Sequence, residues 1–260
     1  MLAVIGGTGL AEVNGFESAG RKRLNTPYAE KRVWVELLQY RNNTLAFLPR
    51  HGKNHVIPPH KVNYRANLWA LHKLGVTQIV AVNAVGGIHE NLAPGSFAIP
   101  DQIIDYTYGR STTYFEEDIE SVTHIDFTYP FAKTLRRALL DSVNAANKAS
   151  NKASNKARPI MDGGVYGCMQ GPRLETAAEV SKLKRDGCDL LGMTAMPEAA
   201  LARELGMDYA MLALSVNWAA GLSDGEISME DITAVVEEGM DFVVCVLQSL
   251  VQSQAGNSSR

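Results

Sequence analysis

Short runs of apolar residues, separated by polar or glycine-rich stretches, recur along most of the chain. Runs of four to eight residues rich in valine, isoleucine and leucine are typical of buried strands. On this basis the sequence predicts strands over residues 2–5, 33–38, 45–48, 79–82, 97–104, 164–168 and 211–216.

Segments with helical patterns lie between many of these runs. Residues 63–74 and 130–146 form two of them, and Thr176-x-x-Glu179 is a capping box for a third that stops at Gly187. A fourth covers residues 198–205, with Pro197 at its first position and Gly206 after its end. The last is a long amphipathic helix from residue 232 to residue 251. This alternation predicts an α/β three-layer sandwich, with a central mixed sheet flanked by helices.

Length and composition fit one domain over residues 1–260. A low-complexity Asn/Lys/Ala/Ser insertion at about 147–157 interrupts it and is interpreted as a surface loop or a helix extension. A net charge of −3 without a long basic run argues against nucleic-acid and membrane-surface partners. With no transmembrane or targeting segment, we expect a cytoplasmic protein. Its three widely spaced cysteines, Cys168, Cys188 and Cys245, are expected to be core thiols.

A glycine-rich turn, Gly6-Gly7-Thr8-Gly9, follows the first predicted strand. Such turns offer backbone N–H groups to an anion. A dinucleotide fingerprint is excluded because Glu12 stands where the third glycine is needed, and no Lys-Ser or Lys-Thr pair completes a nucleotide P-loop. The turn therefore holds free phosphate or is only structural.

The stretch PRHGKNHVIPPH sets Arg50 and His51 at the end of another predicted strand. A zinc site is disfavoured because Gly52 and the following prolines separate His51, His55 and His60. A guanidinium fork with an imidazole as a further donor suits an oxyanion, and an ordinary surface pair is the alternative.

Two further junctions repeat the design. In AVNAVGGI a strand reaches Asn83-Ala84 and is expected to enter a turn at Gly86-Gly87. In LLGMTAMPEAA, Thr194 precedes a helix, where it is either a simple N-terminal cap or part of an anion site. Strand ends of a parallel sheet gather at one edge, so these turns are expected to converge.

Five ordered motifs, IGGTGL, RHG, NYRANLWAL, QGPRLET and GMTAMPEAALARE, together resemble the trimeric purine nucleoside phosphorylase and methylthioadenosine phosphorylase family from Val4 to about Leu250. The resemblance implies phosphorolysis of a purine nucleoside, with inorganic phosphate as co-substrate and no metal or organic cofactor. It also implies a homotrimer with sites at subunit interfaces, His124 reaching into a neighbour's site. The implied phosphate ligands are Thr8, Arg50, His51, Asn83, Ala84 through its backbone, and Thr194. Asn83 stands where the methylthioadenosine branch has threonine.

Asn217 stands where the methylthioadenosine phosphorylases carry an aspartate that suits the 6-amino group of adenine, and Ala219 replaces their second aspartate. An asparagine amide donates instead to a 6-oxo oxygen and to N7. Glu175 matches the glutamate that accepts the ring N–H of 6-oxopurines. We therefore expect Asn217, Glu175 and His51 to be the catalytic residues, acting on a hypoxanthine-type base.

The other end of the nucleoside meets different side chains. Met229 replaces a histidine that binds the 5′-hydroxyl in 6-oxopurine phosphorylases, and it shares a helical face with Ile232 and Val236. Met193 is expected against the ribose, beside Leu174. The expected substrate is S-methyl-5′-thioinosine. The alternatives are a general 6-oxopurine nucleoside phosphorylase, a methylthioadenosine phosphorylase, a nucleosidase that uses water and a non-catalytic purine-binding protein. For the apolar stripe on this helical face, the alternative is that it belongs only to the hydrophobic core.

Overall fold

The computed structural model describes residues 1–7, 15–116, 120–154 and 157–257. Its strands are β1 (Leu2–Gly6), β2 (Glu17–Thr26), β3 (Ala29–Tyr40), β4 (Asn43–Pro49), β5 (Gln78–Gly87), β6 (Phe97–Ile99), β7 (Gln102–Asp105), β8 (Ile160–Asp162), β9 (Val165–Cys168), β10 (Leu190–Gly192) and β11 (Asp208–Trp218). Its helices are α1 (Tyr64–Lys73), α2 (Lys133–Ser154), α3 (Ala177–Arg185), α4 (Ala195–Glu204) and α5 (Met229–Asn257), with a 3-10 turn at Pro59–Lys61.

One mixed sheet organises the molecule, and β5 lies at its centre. β5 runs parallel to β1 on one side and to β11 on the other. Beyond β1 come β4, which is parallel to it, and then the antiparallel strands β3 and β2. At its carboxyl end β5 pairs with β10, which leads to β9 and β7, while β11 pairs with β6, which leads to β8.

Alternation along the central strands sends side chains into two separate cores. On β5, Val80 and Val82 face α2 and α5, whereas Ile79 and Ala81 face α1 and α4. Neighbouring strands have the same alternation, so helices cover both faces of the sheet. The predicted three-layer α/β sandwich is confirmed.

Most predicted helices are found with small shifts of their ends. The capping box forms: the Thr176 hydroxyl accepts from the Glu179 N–H while the Glu179 carboxylate accepts from the Thr176 N–H. Helix α2 continues to Ser154, so the Asn/Lys/Ala/Ser tract is helical up to that residue, as its alanine and lysine content favours. The rest of the tract, at 155 and 156, lies outside the described residues.

Two expectations about strands and turns were wrong, and one long strand was missed. The segment 97–104 is two strands, because Pro100 has no N–H to donate and the chain changes partners there, from β8 and β11 to β9. Gly86 and Gly87 are not a turn but the end of β5, where a side chain on Gly87 would collide with the Leu92 carbonyl oxygen. The strand β2 was not predicted, because its residues are polar and exposed.

Two smaller corrections concern helices. Helix α4 starts at Ala195, so Pro197 is its third residue, after a non-helical Met196. Cys168 and Cys188 are buried, but Cys245 is exposed because it lies on the face of α5 opposite the apolar stripe. None of the helices in the described part of the chain is long and apolar enough to cross a membrane.

Candidate active site

A cavity of about 520 Å³ opens where β1, β5, β10 and β11 end, a size suited to a nucleoside-sized ligand. Twelve of the fourteen predicted site residues line it: Arg50, His51, Asn83, Ala84, Leu174, Glu175, Met193, Thr194, Asn217, Ala219, Met229 and Ile232. Gly7 also lines it, and a Cβ on Gly7 would lie 2.7 Å from the Val82 oxygen and 3.0 Å from Arg50 Nη1. Glycine is therefore needed where Gly7 passes close to Val82 and Arg50.

The anion end of the cavity is built around a buried ion pair. Arg50 donates from Nε to Glu198 Oε2 at 2.6 Å and from Nη2 to Glu198 Oε1 at 2.7 Å, and both side chains are 1% exposed. Tyr209 donates its hydroxyl to Glu198 Oε1 at 2.8 Å. This fork fixes the plane of the guanidinium and leaves the rest of its Nη groups for other acceptors.

Asn83 and Thr194 join the same cluster from β5 and from the residue before α4. Asn83 Nδ2 donates to Thr194 Oγ1 at 2.6 Å, and Arg50 Nη2 reaches Asn83 Oδ1 at 3.4 Å. Thr194 occupies the N-cap position of α4, but its side chain makes no capping bond. Of the two interpretations of Thr194, the simple cap is therefore wrong, and its hydroxyl is held at the cavity by Asn83.

His51 differs from the expected donor. Its Nδ1 lies 2.7 Å from the Ile57 carbonyl oxygen, so Nδ1 carries the proton and donates there. Burial, with Arg50 adding to it, lowers the pKa of His51 to about 4, so the ring is neutral near pH 7. The ring of His55 packs against it with centroids 4.5 Å apart. In this tautomer Nε2 carries the lone pair and accepts a hydrogen bond, whereas the sequence analysis expected the imidazole to donate one.

The base end of the cavity carries Glu175 and Asn217. Burial raises the pKa of Glu175 above its ordinary value, as expected of a carboxylate short of hydrogen-bond donors. Asn217 follows an irregularity in the pairing of β11 with β5, which re-aims its side chain. One N–H of its amide donates to the Trp218 carbonyl oxygen at 2.7 Å. Ala219, beside it, is buried.

The opposite wall is apolar. Met229 begins α5 and is 65% exposed at the cavity, and Ile227 and Ile232 line the cavity with it. Val236, predicted on the same face, is buried in the core under the sheet and does not line the cavity. The apolar stripe of α5 therefore belongs partly to the hydrophobic core, as the alternative interpretation held, and partly to the cavity wall.

Two predicted site residues are not placed in the cavity. Thr8 lies outside the described residues. His124 is exposed on the segment between β7 and α2 and does not line the cavity of its own chain. Its role in a neighbouring subunit stays a prediction, as do the roles of the residues in the cavity.

Glu198 and Tyr209 were missed as site residues by sequence reasoning. Glu198 falls within a helix that reads as an ordinary surface element, and Tyr209 begins a hydrophobic strand. The available signal was the position of Glu198 one turn after Thr194, at the same end of α4. Only the folded sheet brings β4, β11 and α4 together around Arg50.

Comparison with known proteins identifies the class. The model of the phosphorylase superfamily matches residues 1–252, so the chain belongs to this superfamily. The solved structure of methylthioadenosine phosphorylase from Schistosoma mansoni in complex with adenine superposes with a TM-score of 0.89 at 30% identity, over 98% of this chain and 92% of that one.

Two relatives with more specific names are also similar to the chain. The chain is 47% identical over 251 residues to a probable S-methyl-5′-thioinosine phosphorylase of Pseudomonas syringae pv. tomato, covering 96% of this chain and 98% of that protein. It is 38% identical over 255 residues to the 6-oxopurine nucleoside phosphorylase of Pyrococcus furiosus, covering 96% and 91%. Both names describe phosphorylases of 6-oxopurine nucleosides.

Proposed function

We propose that the protein catalyses the phosphorolysis of S-methyl-5′-thioinosine to hypoxanthine and 5-methylthioribose 1-phosphate. The observation that carries this proposal is the layout of one cavity. An arginine-centred anion cluster lies at one end, a carboxylate and an amide at another, and an apolar wall beside them. These three parts suit the phosphate, the 6-oxopurine and the methylthio group respectively.

Inorganic phosphate binds at Arg50, Asn83 and Thr194 in this proposal. The Glu198 fork holds Arg50 in place before phosphate arrives, so its Nη groups need no reorganisation during the reaction. The backbones of Ala84 and Gly7 complete the pocket. Phosphate oxygen attacks the anomeric carbon as the bond to purine N9 breaks, and the electron pair leaves with the base.

Proton transfer accompanies this displacement. Hydrogen phosphate loses its proton on becoming an ester and the departing hypoxanthine gains one, so one proton passes in net from phosphate to base through the surrounding water. His51 is suited to accept a hydrogen bond from the P–OH group of hydrogen phosphate and so to orient it, because its Nδ1 is bonded to the Ile57 carbonyl oxygen and Nε2 therefore carries the lone pair. The low pKa of His51 keeps that nitrogen unprotonated at neutral pH.

Base selection rests on Glu175 and Asn217. Glu175 accepts the N1–H of hypoxanthine, a hydrogen that adenine lacks, and this new donor offsets the desolvation of the carboxylate. The remaining amide N–H of Asn217 donates to the base, where negative charge develops as the bond to the sugar breaks. Each mismatched polar group would cost about 1 to 3 kcal/mol.

The apolar wall supports a methylthio group over a 5′-hydroxyl. The side chains of Met229, Ile227 and Ile232 suit a methylthio group and offer a 5′-hydroxyl no strong hydrogen-bond partner. The relative from Pseudomonas syringae carries the same proposed activity in its name. A general 6-oxopurine nucleoside phosphorylase is the second candidate, favoured by the Pyrococcus furiosus relative.

The proposal is tested by identifying the products. Methylthioinosine is incubated with the protein with and without phosphate, and the sugar product is followed by phosphorus-31 NMR. A sugar 1-phosphate formed together with hypoxanthine supports the proposal. Free methylthioribose formed without phosphate would identify a nucleosidase instead, and hypoxanthine binding without any cleavage would identify a binding protein.

We further infer a cytoplasmic homotrimer in which His124 of one subunit reaches the cavity of the next. The apolar side chains of Val56, Leu174 and Met229 are 73%, 41% and 65% exposed around the mouth of the cavity. An exposed apolar rim of this kind supports a covering segment from another subunit. Analytical ultracentrifugation measures the assembly, and a monomer with full activity would contradict it.

A further inference from the structure

Arg110 lies outside the cavity yet forms an unusually complete set of bonds beside it. From the segment after β7, its half-buried guanidinium donates to main-chain oxygens of two other segments. The acceptors on the first are Met169 and Gln170, at 3.3 and 2.9 Å from Nη2, and Nε also donates to Gln170 Oε1 at 3.1 Å. The acceptors on the second are Met193 and Met196, at 2.8 and 2.6 Å from Nη1.

Each of these segments carries substrate-facing residues. The first, after β9, continues to Glu175 at the base end of the cavity. The second, after β10, carries Met193 at the ribose position and Thr194 in the anion cluster. Arg110 therefore connects the part of the chain that reads the base to the part that faces the sugar.

The two segments also pack tightly on each other. Gly171 has a φ of +62°, and a Cβ there would collide with the Met193 sulfur and lie 3.0 Å from Pro59 Cγ. Pro59 is tied to the same cluster, since its carbonyl oxygen accepts from the Tyr64 hydroxyl, which Arg110 Nη1 approaches at 3.4 Å. A small change at Arg110 is thus transmitted to the spacing between Glu175 and Met193.

We infer that Arg110 is a positioning residue that sets the spacing between the base-reading and sugar-facing segments of the nucleoside site. Its effect on nucleoside selection rests on the proposed function, whereas its effect on the two segments does not. The role requires the planar five-donor fork of arginine, because a lysine ammonium has three donors and cannot bridge the same acceptors.

The test compares Arg110→Lys with Arg136→Lys. Arg136 is a matched control because it also donates to two main-chain oxygens, of Ile99 and Pro100 at 2.8 and 2.9 Å, but away from the cavity. In Arg110→Lys we expect kcat/KM for the nucleoside to fall about 10- to 100-fold, the cost of a displacement near 1 Å. The KM for phosphate is expected to change less than the nucleoside constant. Of Arg50, Asn83 and Thr194 only Thr194 lies on a segment that Arg110 holds, and the Arg50, Glu198 and Asn83 bonds do not involve Arg110.

Amide hydrogen exchange supplies a readout that needs no substrate. Arg110→Lys is expected to speed exchange over residues 169–175 and 193–196 relative to the wild type and to Arg136→Lys. Unchanged exchange there, or equal losses in the nucleoside and phosphate constants, would overturn the inference. If the wild type cleaves no methylthioinosine but exchange rises in both segments, the proposed function fails and the positioning role of Arg110 stands.

Discussion

Removing the Glu198 carboxylate leaves the Arg50 charge buried without a counterion. Both side chains are 1% exposed, and the pair makes two bonds of 2.6 and 2.7 Å, so bulk water does not screen the charge of Arg50. Breaking a buried pair in this way costs about 3 to 5 kcal/mol. For Glu198→Ala this corresponds to a melting temperature lower by roughly 6 to 20 °C.

A second variant separates charge from hydrogen bonding. Glu198→Gln keeps one carbonyl oxygen for Arg50, but it removes the countercharge and places an amide N–H against a guanidinium N–H. This variant is therefore also expected to lower the melting temperature, though by less than Glu198→Ala. Both variants are expected to lower kcat/KM for phosphate at least about tenfold, because Arg50 loses its fixed plane.

The assays are differential scanning calorimetry and steady-state kinetics, with Glu204→Ala as the control. Glu204 lies on the same helix and accepts two bonds, from the Thr113 hydroxyl at 2.6 Å and the Tyr114 N–H at 2.8 Å, but both donors are neutral. Its loss is expected to cost about 1 to 3 kcal/mol with little effect on phosphate. A Glu198→Ala protein no less stable than Glu204→Ala would refute the buried-charge reasoning.

Three further predictions concern the protonation of His51, the choice of purine base and the 5′-substituent of the sugar. The free energy of unfolding is expected to fall by up to about 3 kcal/mol as the pH drops from about 6.5 to about 4. The reason is that His51 becomes protonated in the unfolded chain at a higher pH than in the folded chain. Denaturant titrations of the wild type and of His51→Asn across this pH range measure the difference. In Asn217→Asp the preference for methylthioinosine over methylthioadenosine is expected to fall about 10- to 100-fold, measured as the ratio of kcat/KM values. In Met229→His the efficiency with inosine is expected to rise relative to methylthioinosine in the same assay, because the imidazole bonds the 5′-hydroxyl.

Each of these has a clear contrary result. Identical pH profiles for wild type and His51→Asn would show that burial of this imidazole has no bearing on acid stability. An unchanged base ratio in Asn217→Asp would move base selection to other residues. If Met229→His weakened both nucleosides equally, the Met229 side chain would not face the 5′-substituent.

The sequence predicted the sheet centre and most helices because these elements are strongly patterned. β1, β5 and β11 are built around apolar runs, and the capping box at Thr176 is a local signal that needs no tertiary context. β2 was not predicted because this polar edge strand lacks the alternation of apolar and polar residues that indicates a strand. Gly86 and Gly87 were misread as a turn because their pairing with β10, which makes them the end of β5, joins segments far apart along the chain.

The candidate site shows the same division between local and tertiary information. Motifs after strands located Arg50, Asn83 and Thr194, which the fold brings into one hydrogen-bonded cluster. The sequence did not reveal Glu198 as the partner of Arg50, which is 148 residues away along the chain. Nor did it reveal the tautomer of His51, which depends on the backbone oxygen of Ile57 in the folded loop.

The account depends most on a cavity that pairs a 6-oxopurine end with an apolar sulfur end. The most direct test is kcat/KM for methylthioinosine, methylthioadenosine and inosine, measured side by side at saturating phosphate. The account predicts the highest value for methylthioinosine, by at least about tenfold over each of the others. Equal efficiency with methylthioadenosine would contradict the base end, and equal efficiency with inosine would contradict the sulfur end.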